Sequence, residues 1–150
     1  MSDRPFKRPD VRALSFDDFP SWLPLWIENN QGQNDEAVTS QTWQRLCDPA
    51  SMVHGLGAFD EDGTLLGILH YILHPTTGSL HPACYMQDLF VTPAQRGKGV
   101  AKVLLAELER THRREKWARI YWLAERYNPE AQALYKKFGV EIPFSVHVLI

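Results

Sequence analysis

The residues with the most pointed chemistry lie between Gln87 and Glu109, in QDLFVTPAQRGKGVAKVLLAELE. A strand-forming run, Leu89-Phe90-Val91, leads through Thr92-Pro93 to a loop with two glycines, Gly97 and Gly99. Helical apolar spacing follows at once, at Val100, Val103, Leu104 and Leu108. N–H groups in the first turn of a helix have no partner within it, and aligned peptide dipoles add about half a positive charge there. Glycines let an anion approach the backbone, and Arg96 and Lys98 add charge. The combination suits a pyrophosphate. It is not a dinucleotide fingerprint: GxGxxG would need a third glycine where Lys102 stands, and no acidic residue follows near Trp117. The GxxxxGK[ST] loop of nucleoside triphosphatases is absent.

The pattern Arg96-x-x-Gly99-x-Ala101 after a strand is more specific than paired glycines. A second landmark follows it: Asn128-Pro-Glu-Ala131-Gln-Ala-Leu134-Tyr135-Lys-Lys-Phe-Gly139. In this order and at this separation the two resemble the GNAT superfamily of acetyl-CoA-dependent N-acetyltransferases, over roughly residues 83–139. The resemblance implies acetyl-CoA as cosubstrate. The backbone of Leu89, Phe90 and Val91 would pair with the pantetheine arm as if it were another strand. The N–H groups of Arg96, Gly97, Lys98, Gly99, Val100 and Ala101 would hold the pyrophosphate. Asn128 would bond the pantetheine near the thiol, Tyr135 would protonate the departing thiolate, and Lys137 is a candidate for a CoA phosphate. The amine attacks the thioester directly in a ternary complex, so Cys47 and Cys84 are not needed as nucleophiles and read as structural.

The attacking amine must first lose a proton. In the spermidine/spermine branch a glutamate stands two residues before the start of the cofactor strand; here that residue is Gln87, which cannot take a proton. Asp88 points to the opposite sheet face if the strand is regular. Glu125, after the next strand, or an ordered water is left as the base. The acceptor site implied by the family draws on Trp26, the Asn29–Glu36 loop with Asp35 and Glu36, and Tyr85, together with Gln87. Trp22 and Trp26 can equally be core residues, since they are spaced i, i+4. His70 and His74 sit in HYILH, which lacks the glutamate of HExxH, so no metal is expected.

These residues need a scaffold. Weak strand character at 11–16 precedes a helix capped by Asp17 or Asp18, and a second helix is expected to start at Thr39 or Ser40. Met52–Phe59 and Leu65–Leu73 flank an Asp-Gly turn and read as a β-hairpin. Further strands are expected at 83–91, 119–123 and 142–150, with helices from about Gly97 to Glu115 and from Pro129 to Phe138. The implied architecture is α+β: one domain over 1–150 with a central twisted mixed sheet of about six to seven strands and about four helices, as in GNAT enzymes. Only eleven residues follow Gly139, so the last strand is expected either to end the sheet alone or to complete it across a homodimer interface.

Composition bounds the rest. The chain has 150 residues, 44% apolar and 23% charged, ordinary for a folded domain. No run approaches the ~20 apolar residues of a membrane helix, and MSDRPFKRPD reads as neither signal nor transit peptide, so a cytoplasmic location is expected. The net charge of −2 argues against nucleic acid as a partner, and a small-molecule amine is expected. Residues 1–95 hold 12 acidic and 5 basic groups, while residues 96–150 hold 6 and 11. That division suits an enzyme joining a cationic acceptor to an anionic cosubstrate. The acceptor class stays open: a polyamine as in the small polyamine and histone-like branch, an amino acid, an aminoglycoside, or a protein lysine. Two rival readings are a non-catalytic CoA-binding regulatory module on the same fold and an unrelated nucleotide-binding protein.

Overall fold

The computed structural model describes residues 7–150, so most of the leader-free reading of the first ten residues falls outside it. The elements run β1 (Asp10–Ala13), α1 (Phe19–Asn29), α2 (Glu36–Cys47), β2 (Val53–Phe59), β3 (Leu65–His74), β4 (Ala83–Val91), α3 (Val100–Glu115), β5 (Ile120–Tyr121) and α4 (Pro129–Tyr135). The sheet follows chain order, β1-β2-β3-β4-β5. The first four strands are antiparallel, and β5 joins β4 in parallel after the α3 crossover. This is the mixed α+β arrangement expected, with five strands where about six to seven were expected.

The missing strand is the last. Among the described residues, 141–150 form no strand, and Phe144, Val146, Val148 and Ile150 are exposed. The reason lies in β5, which pairs with β4 only at Cys84↔Ile120 and Tyr85↔Tyr121. Two residues give a further strand almost no edge to pair with. The expected strand at 119–123 is shortened to that same pair.

Local chemistry accounts for the other boundaries. The second helix starts earlier than expected, because Asp35 Oδ1 accepts the N–H groups of Ala37 and Val38 at 3.0 and 3.1 Å. Thr39 is then inside the helix, and its hydroxyl bonds Asn34 and Trp26. α3 starts later than expected, at Val100, because Gly97 and Gly99 have φ of +75° and +85°. That left-handed backbone stops the helix from extending N-terminally.

Two apolar layers cover the sheet. On one face α3 buries Val100, Leu104, Leu105 and Leu108 against β2, β3 and β4, with α4 at the margin. On the other, α1 and α2 bury Trp22, Leu25, Trp26, Trp43 and Leu46. Each such large apolar side chain contributes about 1.5–3 kcal/mol relative to exposure.

Candidate active site

The two helix layers leave one edge of β4 open. Past Tyr85, β5 ends while β4 runs on to Val91, so the strands part into a wedge. Unpaired strand edges accept an extended partner. Leu89, Phe90 and Val91 lie along this stretch, paired with β3 on their other side.

The wedge leads toward the glycine loop. A short helical turn at Pro93–Gln95 is followed by Arg96, Gly97, Lys98 and Gly99. No side chain caps the start of α3. A side chain added at Gly97 or Gly99 would meet nothing within 4 Å, so the space beside the loop is open. Free first-turn N–H groups at the positive end of a 16-residue helix fit a pyrophosphate. Arg96 behaves differently from its sequence reading. Its Nε donates to the Val91 carbonyl at 3.0 Å and its guanidinium lies 5.4 Å from the Phe90 ring, so it braces the loop against β4. Val100 is buried, and Ala101 packs on the same apolar layer, so both face the loop through backbone only.

Tyr135 ends α4, its ring centre 5.3 Å from that of Trp122, which follows β5. Burial raises its phenol above the ordinary value of 10.0, so it keeps its proton at neutral pH. Gly139 fits because a β-carbon there would come within 3.0 Å of the Trp122 ring. The Asn128 side-chain oxygen caps α4, accepting from Ala131 N–H at 3.1 Å, so one end of that side chain is already engaged. Lys137 and Glu125 are exposed; the Glu125 carbonyl accepts from Gln132 Nε2 at 3.0 Å.

On the α1 and α2 face the sequence reading needs revision. Trp26 is 8% exposed, stacks on Trp22 at 5.3 Å and donates its indole N–H to Thr39, so its ring is taken up by the core. One oxygen of the Asp35 carboxylate, Oδ1, caps α2, and Glu36 is the first residue of that helix. Tyr85 lies on the sheet with its ring centre 5.0 Å from that of Tyr121, whose hydroxyl is 2.8 Å from His74 Nε2. Gln87 is exposed and has no partner on β3, because the register passes from Tyr71↔Met86 to His70↔Asp88. It is a β-bulge.

The bulge changes which residues face the acceptor side. A regular strand would follow Tyr85 with Gln87 and Leu89 on one face. Here Asp88 and Phe90 turn to the α1 face, and Leu89 and Val91 to the α3 face. Asp88 Oδ2 is 3.0 Å from His70 Nδ1, and Asp88 Oδ1 accepts from Asn29 Nδ2 at 3.1 Å. Trp22 Nε1–H donates to His70 Nε2 at 3.0 Å. Nothing in the sequence marks the bulge, and the four residues come from three elements, so this cluster was missed. The HYILH run is the one available signal, and it points to a metal or a proton path no more than to this cluster.

Comparison with known proteins fixes the class. The sequence matches the acetyltransferase (GNAT) family over residues 10–140, and the chain belongs to it. It is an acetyl-CoA-dependent N-acetyltransferase. It is 34% identical over 131 residues to the D-amino-acid N-acetyltransferase HPA3 of Saccharomyces cerevisiae, covering 85% of this chain and 81% of that one. Its fold is similar to a ribosomal-protein-alanine N-acetyltransferase from Brucella melitensis biovar Abortus 2308, with TM-score 0.77 and 22% identity, covering 94% and 98% of the two chains. It is also similar to AAC(6')-Iy in complex with a bisubstrate analogue, with TM-score 0.76 and 20% identity, covering 96% and 98%.

Proposed function

We propose that this enzyme transfers acetyl from acetyl-CoA to a primary amine of a small cationic acceptor of the amino-acid type, in a ternary complex. The observation that carries the reading is the open edge of β4 running from Tyr85 to a glycine loop with uncapped N–H groups. The amino-acid acceptor is supported by the likeness to a D-amino-acid N-acetyltransferase across most of both chains.

In this reading acetyl-CoA supplies the activated acyl group. The backbone of Leu89, Phe90 and Val91 binds its pantetheine arm, and the loop from Gly97 to Val100 binds its pyrophosphate. Tyr135 holds a proton for the thiol leaving group. Asn128 keeps its side-chain amide nitrogen for the pantetheine while its oxygen caps α4. Gln87 cannot ionise, so the first proton passes to water or to Glu125, which is open to solvent.

The test is thiol release from acetyl-CoA against separate pools of D-amino acids, L-amino acids, polyamines, aminoglycosides and a lysine-rich peptide. Turnover is expected with the D-amino acids and reduced in Tyr135→Phe. Binding of acetyl-CoA without turnover in any pool would favour a regulatory module.

We infer a homodimer as well. The exposed apolar residues of the C-terminal segment, Phe144, Val146 and Val148 among them, support it. Light scattering behind size exclusion is expected to give twice the 17.2 kDa chain mass, and a chain truncated after Gly139 is expected to run as a monomer. Free Cys47 and Cys84 support a reducing compartment such as the cytoplasm. Among the described residues no helix is long and apolar enough to cross a membrane.

A further inference from the structure

We infer that Asp88 is the anchor for the acceptor's ammonium group, and that His70, Asn29 and Trp22 are there to position it. The inference rests on the acetyltransferase reading above and names the acceptor side of that site.

A buried polar group costs stability unless it is hydrogen-bonded. His70 is 3% exposed among tryptophans, on a sheet face otherwise filled by apolar side chains. Among the described residues its side chain hydrogen-bonds the Trp22 indole and Asp88. An indole N–H can only donate, so His70 Nε2 must accept. The ring hydrogen then sits on Nδ1, aimed at Asp88 Oδ2. Asn29, the last residue of α1, supplies a second N–H to the other carboxylate oxygen.

The result is a carboxylate gripped from two sides by donors. The two donors orient the carboxylate without supplying a full positive charge, so a cation is its fitting partner. Among the described residues no lysine or arginine pairs with it. It is not sealed: its side chain is 20% exposed. Each oxygen uses one of its lone pairs in the cluster and keeps another.

The position is as informative as the chemistry. The bulge at Gln87 sends Asp88 to the α1 face at the point where β4 loses β5 and its edge opens. Tyr85, three residues earlier on the same strand, feels the Asp88 charge; burial first, then Tyr121 and Asp88, raise its phenol above 10.0. The carboxylate therefore stands beside aromatic surface at the mouth of the wedge. An ammonium held there has its carbon skeleton over Tyr85 and Tyr121, where cation–π and apolar contact both help.

The experiment compares Asp88→Asn with wild type in two ways. Calorimetry on the CoA complex measures binding of D-lysine and of putrescine, each of which offers Asp88 a second ammonium besides the amine that attacks. Steady-state kinetics measures KM and kcat for the same amines and for aniline, which is neutral under the assay conditions. Loss of a charge-assisted bond is expected to weaken ammonium binding by about 10- to 100-fold. KM for the charged amines is expected to rise by the same factor, while KM for acetyl-CoA and for aniline stays within about two-fold. Asn29→Ala, which removes one donor and leaves the core intact, is expected to raise the same KM by about three- to ten-fold. His70→Gln is expected to raise KM for charged amines with kcat unchanged.

Wild type that binds neither amine more tightly than Asp88→Asn overturns the inference. So does a variant that loses kcat with KM unchanged, or that loses aniline and charged amines equally. Absence of thiol release with D-lysine binding intact and sensitive to Asp88→Asn would instead sink the acetyl-transfer reading and leave the anchor standing. If Asp88→Asn does not fold, Asn29→Ala decides between the same outcomes.

Discussion

In the proposed reading the two faces of the sheet serve the two substrates in different ways. On the α3 face the proposed cosubstrate side is made of backbone: an open strand edge, two left-handed glycines and the free N–H groups of a helix start. The side chains there, Leu104, Leu105 and Leu108, are apolar and hold the helix in place. On the α1 face the proposed acceptor side is made of side chains from remote segments, Trp22 with His70 and Asn29 with Asp88. Backbone recognition tolerates many sequences but demands one local geometry. Side-chain recognition is easily changed one residue at a time. A fold arranged this way can keep one acyl donor while its acceptor varies.

The contrast can be broken most forcefully at the core of the α3 face. Leu104 is fully buried between α3 and the sheet. Leu104→Ala is expected to cost about 2–5 kcal/mol of stability, read by urea denaturation. KM for the acceptor amine is expected to stay unchanged at a temperature where the variant is folded. A rise in that KM matching the rise for acetyl-CoA would mean the two faces are not independent.

Next in size is the glycine loop. Gly99 sits at φ +85° with open space where a side chain would project. Gly99→Val brings a β-branched residue into left-handed backbone and a side chain into the anion site. It is expected to raise KM for acetyl-CoA on the order of 100-fold, about 2.7 kcal/mol, with little change for the amine. Tyr135→Phe separates chemistry from binding on the same face. It is expected to lower kcat by about 10- to 100-fold and leave both KM values near wild type.

The same contrast explains what could be read from the sequence. The α3 face was legible because its parts are local. Strand, Pro93, Gly97, Gly99 and an apolar helix run in one stretch, and Asn128 to Gly139 in another. The hairpin was legible from its turn: Gly63 has φ +79°, and Asp60 accepts the N–H groups of Asp62 and Thr64. The α1 face was not legible. Trp26 and Asp35 were assigned to the acceptor by type, whereas packing gives one to the core and capping gives the other to α2. Asp88 was set aside on strand periodicity, and a single bulged residue reversed that. The last strand failed for a related reason: an apolar run shows that a strand is possible, but only a partner edge makes one.

The smallest effect lies at the far end of the α1 face, where charge serves stability alone. Asp18, just before α1, accepts two bonds from the Arg12 guanidinium at 2.8 and 2.9 Å, and one from the Ser15 N–H at 2.7 Å. These partners, Arg12 foremost, hold its carboxyl down at about 2, below the ordinary 3.8. A lowered carboxylate stabilises the fold above the unfolded value and stops doing so as pH falls through the folded one. The pair is therefore fully effective above about pH 4 and lost toward pH 2. Arg12 is nearly half exposed, so solvent screening trims the contribution to about 1–2 kcal/mol. Asp18→Asn is expected to lower stability by that amount at neutral pH and to converge with wild type near pH 2. Its acceptor KM is expected to match wild type. Asp88 and Asp18 would then differ in kind. Both are carboxylates gripped by donors on one sheet face, but the arginine already holds the charge of Asp18, while that of Asp88 is left for a substrate.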